Sequence, residues 1–193
     1  MFETILIFVA YLVGSLSAAI ITCRIMGLPD PRTQGSKNPG ATNVLRHGGK
    51  KAAAITLFGD AIKGVIPVVV AQLMGMPPLI LACVALAAFL GHLYPVFFNF
   101  RGGKGVATAF GVLVAMAWPV GLALLMTWLV MAKLFNISSL SALTAACLGP
   151  LYMWWLRPEQ EFIIVAIVIS VMLLWRHRSN IRNLMAGTEG KIR

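Results

Sequence analysis

Acidic side chains are scarce in this chain: six Asp and Glu stand against sixteen Lys and Arg in 193 residues, a formal net charge of +10. The basic polar stretches contain only Asp30 and Glu189. That is too few carboxylates for a divalent-metal site, so neither metal nor cofactor is expected. Charge of either sign is also rare, at 11% of residues against 59% hydrophobic, whereas a soluble domain carries about 25% charged residues. This shortage excludes a soluble globular protein and leaves an integral membrane one. Cysteine is limited to Cys23, Cys83 and Cys147, each in a separate apolar run, which supports neither a disulfide framework nor a zinc site. A basic leader is missing too: the first apolar run, Ile5 to Cys23, follows Glu3 and is long enough to span, so no cleavable signal is expected. In so apolar a chain, positive charge points to topology, anionic substrates and lipid headgroups rather than to nucleic acid.

What is present is a series of apolar runs. Residues 5 to 23 form the first predicted span, with Gly14, Ser15, Ser17, Ala18 and Ala19 small enough to admit a neighbouring helix. The polar loop from Arg24 to Lys51 carries six cations against Asp30. The positive-inside rule therefore places it on the cytoplasmic face and the amino terminus outside. Ala52 to Met74 is the second span, interrupted by Asp60 and Lys63, which at i and i+3 share a helix face and can pair. An ionisable residue at that depth serves either a site or packing between helices, and both readings stand. After an outside turn at Gly75 to Pro78, the third span is Leu79 to Phe98. It contains His92, for which a packing role and a site role are equally open.

The stretch from Val106 to Lys133 decides the topology. One tilted span there would export the basic tail of Arg176, Arg178, Arg182, Lys191 and Arg193. Two short helices turning at Trp118-Pro119 keep it inside, and Pro suits the first turn of a new helix. With Ser141 to Trp155 and Ile163 to Trp175 the count is seven transmembrane helices, some short, with the carboxy terminus cytoplasmic. Fourteen of the sixteen Lys and Arg then lie at or beyond cytoplasmic helix ends, leaving Lys63 within a span and Arg157 outside. Each half of the 106 to 133 hairpin is only about 20 Å long, against a hydrocarbon core of roughly 30 Å. Local thinning or partial insertion absorbs the difference. A five-span arrangement, with 106 to 131 and 134 to 156 each crossing once, keeps the same parity. The expected fold is an all-α polytopic membrane helix bundle, one integral membrane domain over residues 1 to 193.

Either odd count puts four polar stretches on the cytoplasmic face. They are Gly35-Ser36-Lys37-Asn38-Pro39-Gly40-Ala41-Thr42-Asn43 with Arg46; Gly102-Gly103-Lys104-Gly105; Asn136 to Ser141; and His177 and Asn180 with Gly187-Thr188-Glu189. Hydroxyls, amides, glycines and fixed cations suit an oxygen-rich anion, phosphate above all. The second stretch is the sharpest. Its three glycines let backbone approach an anion, Lys104 adds charge, and a helix starting near Val106 aims its N–H groups at the same place. It is not a nucleotide P-loop, because no Gly lies five residues before Gly103 and Gly105 stands where Ser or Thr is needed. Plainer readings exist for each stretch. Ser36 and Asn38 fit ordinary turn chemistry, Arg176 and Arg178 fit headgroup contacts, and at least one of Ser138, Ser139 and Ser141 is expected as a helix N-cap.

In order along the chain, Gly35 to Asn43, Gly91-His92 with Pro95, Phe100 to Thr108, His177-Arg178-Ser179-Asn180-Ile181 and Gly187-Thr188-Glu189 resemble the bacterial membrane-bound acyl-phosphate:glycerol-3-phosphate acyltransferases. The match covers essentially the whole chain, and its departures are conservative, such as Arg101 where lysine is also familiar. The resemblance implies acyl transfer from acyl phosphate to the 1-hydroxyl of glycerol 3-phosphate at the bacterial cytoplasmic (inner) membrane, giving lysophosphatidate and phosphate for phospholipid synthesis. It implies that Ser36 and Arg46 are required, that Gly102 to Gly105 with Lys104 bind glycerol phosphate, and that His177 and Asn180 belong to the active site. Glu189 looks structural on this resemblance, and His92 is placed near the site in a structural role. Asn38, Gly40, Thr42, Asn43 and Ser141 are the further substrate-binding candidates. The expected partners are acyl phosphate, glycerol 3-phosphate and the bilayer, with the protein acting as a monomer.

Chemistry agrees with this expectation. An acyl phosphate carries a good leaving group, so orientation and oxyanion stabilisation are the main tasks. Whether His177 or the donor's own phosphate takes the proton stays open, since no Ser-His-Asp set is visible. The His-then-Asp spacing of acyl-thioester acyltransferases is absent, as Ala52, Phe97 and Arg182 stand five positions after His47, His92 and His177. The competing class is a small transporter for an anionic metabolite, which would usually show repeated halves with broken helices at mid-membrane. No convincing internal repeat is found.

Overall fold

Apolar runs become helices here even where β-branched residues cluster, as at positions 65 to 70 and 163 to 171, because in lipid a helix satisfies its own backbone hydrogen bonds. The computed structural model describes residues 1–192, which contain nine α-helices and no strand. Two compact units are distinguished, Met1–Met116 and a second beginning at Ala117.

The first unit comprises α1 (Phe2–Gly14), α2 (Ala18–Ile25), α3 (Ala41–Leu73), α4 (Pro78–Leu93), a 3-10 turn at Val96–Phe98 and α5 (Val106–Met116). Helix α1 packs on α3 and α4, α2 packs on α3, and α3, α4 and α5 pack on one another. In lipid the tails are as apolar as Leu, so close approach of backbones contributes more than burial of apolar area. A Cβ at Gly14 would land on the Ala88 carbonyl of α4, and one at Gly111 on the Ala61 carbonyl of α3. Val68, Val84, Phe89, Leu93 and Val112 are fully buried.

The second unit comprises α6 (Trp118–Phe135), α7 (Ser138–Leu156), α8 (Gln160–Arg176) and α9 (Arg178–Met185). Helix α7 packs on α6 and on α8. Pro150 lies inside α7 and cannot bond the Ala146 carbonyl one turn back. Ser170 of α8 donates to that carbonyl instead, at 2.6 Å.

Three helical segments, Ala41–Leu73, Pro78–Phe98 and Trp118–Phe135, are long and apolar enough to cross a membrane. Two bent pairs, α1 with α2 at 45° and α8 with α9 at 59°, raise the number to five by length and composition. The chain is an all-helical membrane protein. A helix break does fall at Trp118-Pro119: Ala117 is extended (φ −153°, ψ 97°) and Pro119 sits in the first turn of α6.

Two local features add to the sequence reading. The first predicted span is a bent pair of helices that together are long and apolar enough for one crossing, with the break between Gly14 and Ala18 and Ser17 capping α2 through Ile20 N–H. The polar loop also ends earlier than Lys51. Helix α3 starts at Ala41 and kinks at Gly49, whose φ of 81° and ψ of 176° only glycine adopts readily.

Candidate active site

In the first unit, the segment before α3 is shaped by one side chain. Asn43 is buried, and its carboxamide donates to the carbonyls of Pro31 and Gln34 while accepting from Ser36 N–H at 3.1 Å. This bonding uses the amide inside the loop and holds Ser36 on an exposed turn. Gly40 is the N-cap of α3 in an extended conformation, so the partial positive charge of that helix end lies next to the Ser36 to Pro39 segment. Thr42 and Arg46 follow in those first turns, Thr42 half-buried and Arg46 exposed.

The glycine-rich loop lies on the last turn of α4. A Cβ at Gly102 would strike the His92 carbonyl, one at Gly103 would strike His92 Nε2, and one at Gly105 would stand 2.6 Å from Leu93 and Phe89. Phe89, His92 and Leu93 share one helix face, so the loop follows the surface of that turn. Gly105 (φ 93°) turns the chain into α5 at Val106, with Lys104 half-buried before it. A Cβ at Gly103 would also come to 3.0 Å from the Pro39 carbonyl. The two segments that lead into α3 and α5 therefore touch, and two helix N-termini with their partial positive charge lie in one neighbourhood.

Beside them opens a cleft of about 550 Å³ lined by Arg32, Lys37, Asn99, Arg101 and Gly102 among others. Its one carboxylate, Asp30, is tied to Arg32 by hydrogen bonds of 2.7 to 3.1 Å. Those bonds hold the Asp30 carboxyl below its usual range against the opposing effect of burial. The remaining cations, Lys37 and Arg101, give the cleft positive character.

Deeper in the same unit, Asp60 and Lys63 pair at 2.7 Å, as their spacing allows, and His92 Nδ1 lies 3.5 Å from the same Asp60 oxygen. All three are buried.

In the second unit, His177 is the joint between α8 and α9 and is buried. Its Nδ1 stands 2.8 Å from the Leu173 carbonyl. A carbonyl only accepts, so Nδ1 carries the proton and Nε2 of the neutral ring is an acceptor. Glu189 Oε1 accepts from Asn180 Nδ2 and from Ser139 Oγ, each at 2.6 Å, which ties the tail to α9 and α7. A serine was expected as an N-cap of α7, but the N-cap is Ile137, without a side-chain cap. Ser139 is engaged with Glu189 instead, and the buried Ser141 donates back to the Ile137 carbonyl at 2.9 Å.

A profile of the glycerol-3-phosphate acyltransferase family matches residues 4–187. The chain belongs to the glycerol-3-phosphate acyltransferase family. It is 55% identical over 190 residues to the glycerol-3-phosphate acyltransferase of Methylococcus capsulatus, covering 98% of this chain and 96% of that one. It is 58% identical over 183 residues to that of Thioalkalivibrio sulfidiphilus, covering 95% and 90%. Among solved structures it is similar to PlsY (YgiH), an integral membrane glycerol 3-phosphate acyltransferase, in its glycerol 3-phosphate form. The TM-score is 0.95 at 38% identity, over 100% of this chain and 96% of that one.

Within this glycerol-3-phosphate acyltransferase chain, the cleft adds Asn99, which lies outside the motifs, and gives a place to Lys37 and Arg101, which lie inside them without an individual role. Lys37, Asn99 and Arg101 line it, and only the fold brings the 30s segment against the 99 to 102 segment. A signal was present in the basic character of both segments, although topology accounts equally well for basic loops. Among the described residues, no group of three or more His, Cys, Asp or Glu is placed to hold a metal.

Proposed function

We propose that this protein transfers a fatty acyl group from acyl phosphate to the 1-hydroxyl of glycerol 3-phosphate, releasing lysophosphatidate and inorganic phosphate. The observation that carries the reading is the basic cleft beside two adjoining helix N-termini, with one carboxylate in its lining and reached by the glycine-rich loop at Gly102. Such a place suits a phosphate dianion. Gly102, Gly103, Gly105 and Lys104 hold phosphate with Arg46, while Asn38, Gly40, Thr42 and Asn43 shape the segment that carries Ser36.

Ser36, His177 and Asn180 orient the hydroxyl or the reacting carbonyl, which follows the family resemblance. The acceptor state of His177 Nε2 is compatible with taking the hydroxyl proton. As the C–O bond to glycerol phosphate forms and the bond from carbonyl carbon to phosphate oxygen breaks, that proton goes to His177 or to the departing phosphate.

The whole chain works as one domain and as a monomer in the bacterial cytoplasmic membrane. The α1/α2 pair, α3, α4, α5, α6, α7 and α8 make seven crossings, with the amino terminus outside and the site on the cytoplasmic side. Cysteine labelling at position 118 from outside supports this topology, and full protection opposes it.

Purified protein in lipid nanodiscs, supplied with acyl phosphate and glycerol 3-phosphate, should form lysophosphatidate and phosphate in equal amounts. An acyl thioester in place of acyl phosphate should give none. Uptake of glycerol phosphate into vesicles without any acylated product would favour a transporter and refute the enzyme reading.

A further inference from the structure

The first unit holds a buried polar group that no step above uses. Its members come from three places: Asp60 and Lys63 on α3, His92 on α4, and the break between α1 and α2. Lys63 Nζ donates to the Leu16 carbonyl at 2.6 Å, and Ala18 N–H donates to Asp60 Oδ1 at 3.3 Å. Leu16 and Ala18 are the residues whose backbone groups the helix break exposes. The ion pair therefore serves both broken ends. Thr108 of α5 adds a bond to the Asp60 carbonyl at 2.8 Å, so α3 is held to the start of the helix that follows the glycine-rich loop.

His92 connects this group to the loop. Nδ1 faces Asp60 Oδ1, and the opposite ring nitrogen, Nε2, is the atom that a Cβ at Gly103 would meet. The His92 backbone carbonyl occupies the corresponding place beneath Gly102. One residue thus touches two successive glycines of the loop from below, and behind its ring, 3.5 Å from Nδ1, lies a carboxylate that is itself held by Lys63 and Ala18. The Phe89 and Leu93 contacts to Gly105 are apolar and fix distance, whereas the imidazole also fixes orientation through its two distinct edges.

We propose that His92 is a positioning residue of the reaction, whose ring, packed between Asp60 and the loop, sets the place of Gly102 and Gly103 against the substrate phosphate. This rests on the reading of the glycine-rich loop as the cradle for glycerol phosphate. His92 touches loop backbone rather than substrate, so it governs binding geometry.

The test uses the full-length protein in nanodiscs as wild type, His92→Ala, His92→Gln and Lys104→Ala. Amide hydrogen exchange of the peptide covering residues 100 to 106 is followed without substrate, and KM for glycerol 3-phosphate is measured alongside. Misplacing the cradle by about 1 Å should raise KM by about tenfold or more in His92→Ala, with kcat changed less. Exchange of the 100 to 106 peptide should accelerate in the same variant. Both effects should be largely reversed in His92→Gln, which restores a polar group near Nε2. If His92→Ala does not fold, His92→Gln against wild type carries the test through a smaller shift of the same two readouts. Unchanged exchange in the loop with a uniform loss of thermal stability would overturn the proposal and leave His92 as packing. Accelerated exchange with unaltered KM in both His92→Ala and Lys104→Ala would overturn the cradle reading instead.

Discussion

Replacing Lys63 by Met isolates the consequence of the buried ion pair. Asp60 and Lys63 are 2% and 5% exposed, so the carboxylate left behind has little access to water. Breaking a buried pair from one side costs about 3–5 kcal/mol. Lys63 also satisfies the Leu16 carbonyl, and stranding a buried acceptor adds about 1–3 kcal/mol. The two costs overlap because the helix break can relax, so the expected loss is about 4 kcal/mol. At roughly 2–4 °C per kcal/mol for a chain of this size, Tm in a fixed detergent should fall by about 8–16 °C. The double variant Asp60→Leu with Lys63→Met removes the stranded charge but leaves both Leu16 C=O and Ala18 N–H without these partners. It should fall between wild type and Lys63→Met. Thermal melts with a denaturant titration in the same micelles give the order. A Lys63→Met variant within about 1 kcal/mol of wild type would refute the ion-pair argument. A double variant as stable as wild type would show that capping the α1/α2 break contributes nothing.

Other outcomes follow from individual contacts. Gly103→Ala places a methyl group on His92 Nε2 and 3.0 Å from the Pro39 carbonyl; KM for glycerol 3-phosphate should rise about tenfold, equivalent to about 1.4 kcal/mol, with the protein still folded by size-exclusion chromatography. Glu189→Ala removes the acceptor shared by Ser139 and Asn180. Limited proteolysis beyond Met185 should accelerate and turnover should drop, with Glu189→Gln closer to wild type because its carbonyl oxygen still accepts. The depressed pKa of Asp30 means that the Arg32 tie contributes fully above the unfolded carboxylate pKa of about 3.9. It is lost only as pH falls through the lower folded value. Hydrogen exchange of the 26 to 40 segment should therefore, after correction for intrinsic rates, stay flat from neutral pH down to about 4.5 and rise below, with Asp30→Asn insensitive to that drop.

Long apolar runs and Pro at a helix start were readable along the sequence, which is why the break at Trp118-Pro119 and the i, i+3 pairing of Asp60 with Lys63 were expected. The break at Ser15 to Ser17 was not, because apolar composition continues through it and its stabilising partners come from α3, more than forty positions away. The segment from Ala41 to Lys51 read as loop because it is polar, yet a polar helix start is where Asn43 has to sit to organise the residues before it. The candidate site was legible as sets of phosphate-compatible residues. Which glycine rests on which side chain was not, since His92 and Gly103 meet only after α4 and the loop pack. The serines of α7 illustrate the same limit: their N-cap propensity was overridden by Glu189 arriving from the tail and by the Ile137 carbonyl within reach of Ser141.

In the proposed function the glycine-rich loop with Lys104 receives the phosphate of glycerol 3-phosphate. Titration of glycerol 3-phosphate into nanodisc-embedded wild type and Lys104→Ala, followed calorimetrically, measures this without turnover. Saturable binding to wild type that is lost in a folded Lys104→Ala variant is the predicted result; equal affinity in the two proteins would contradict it.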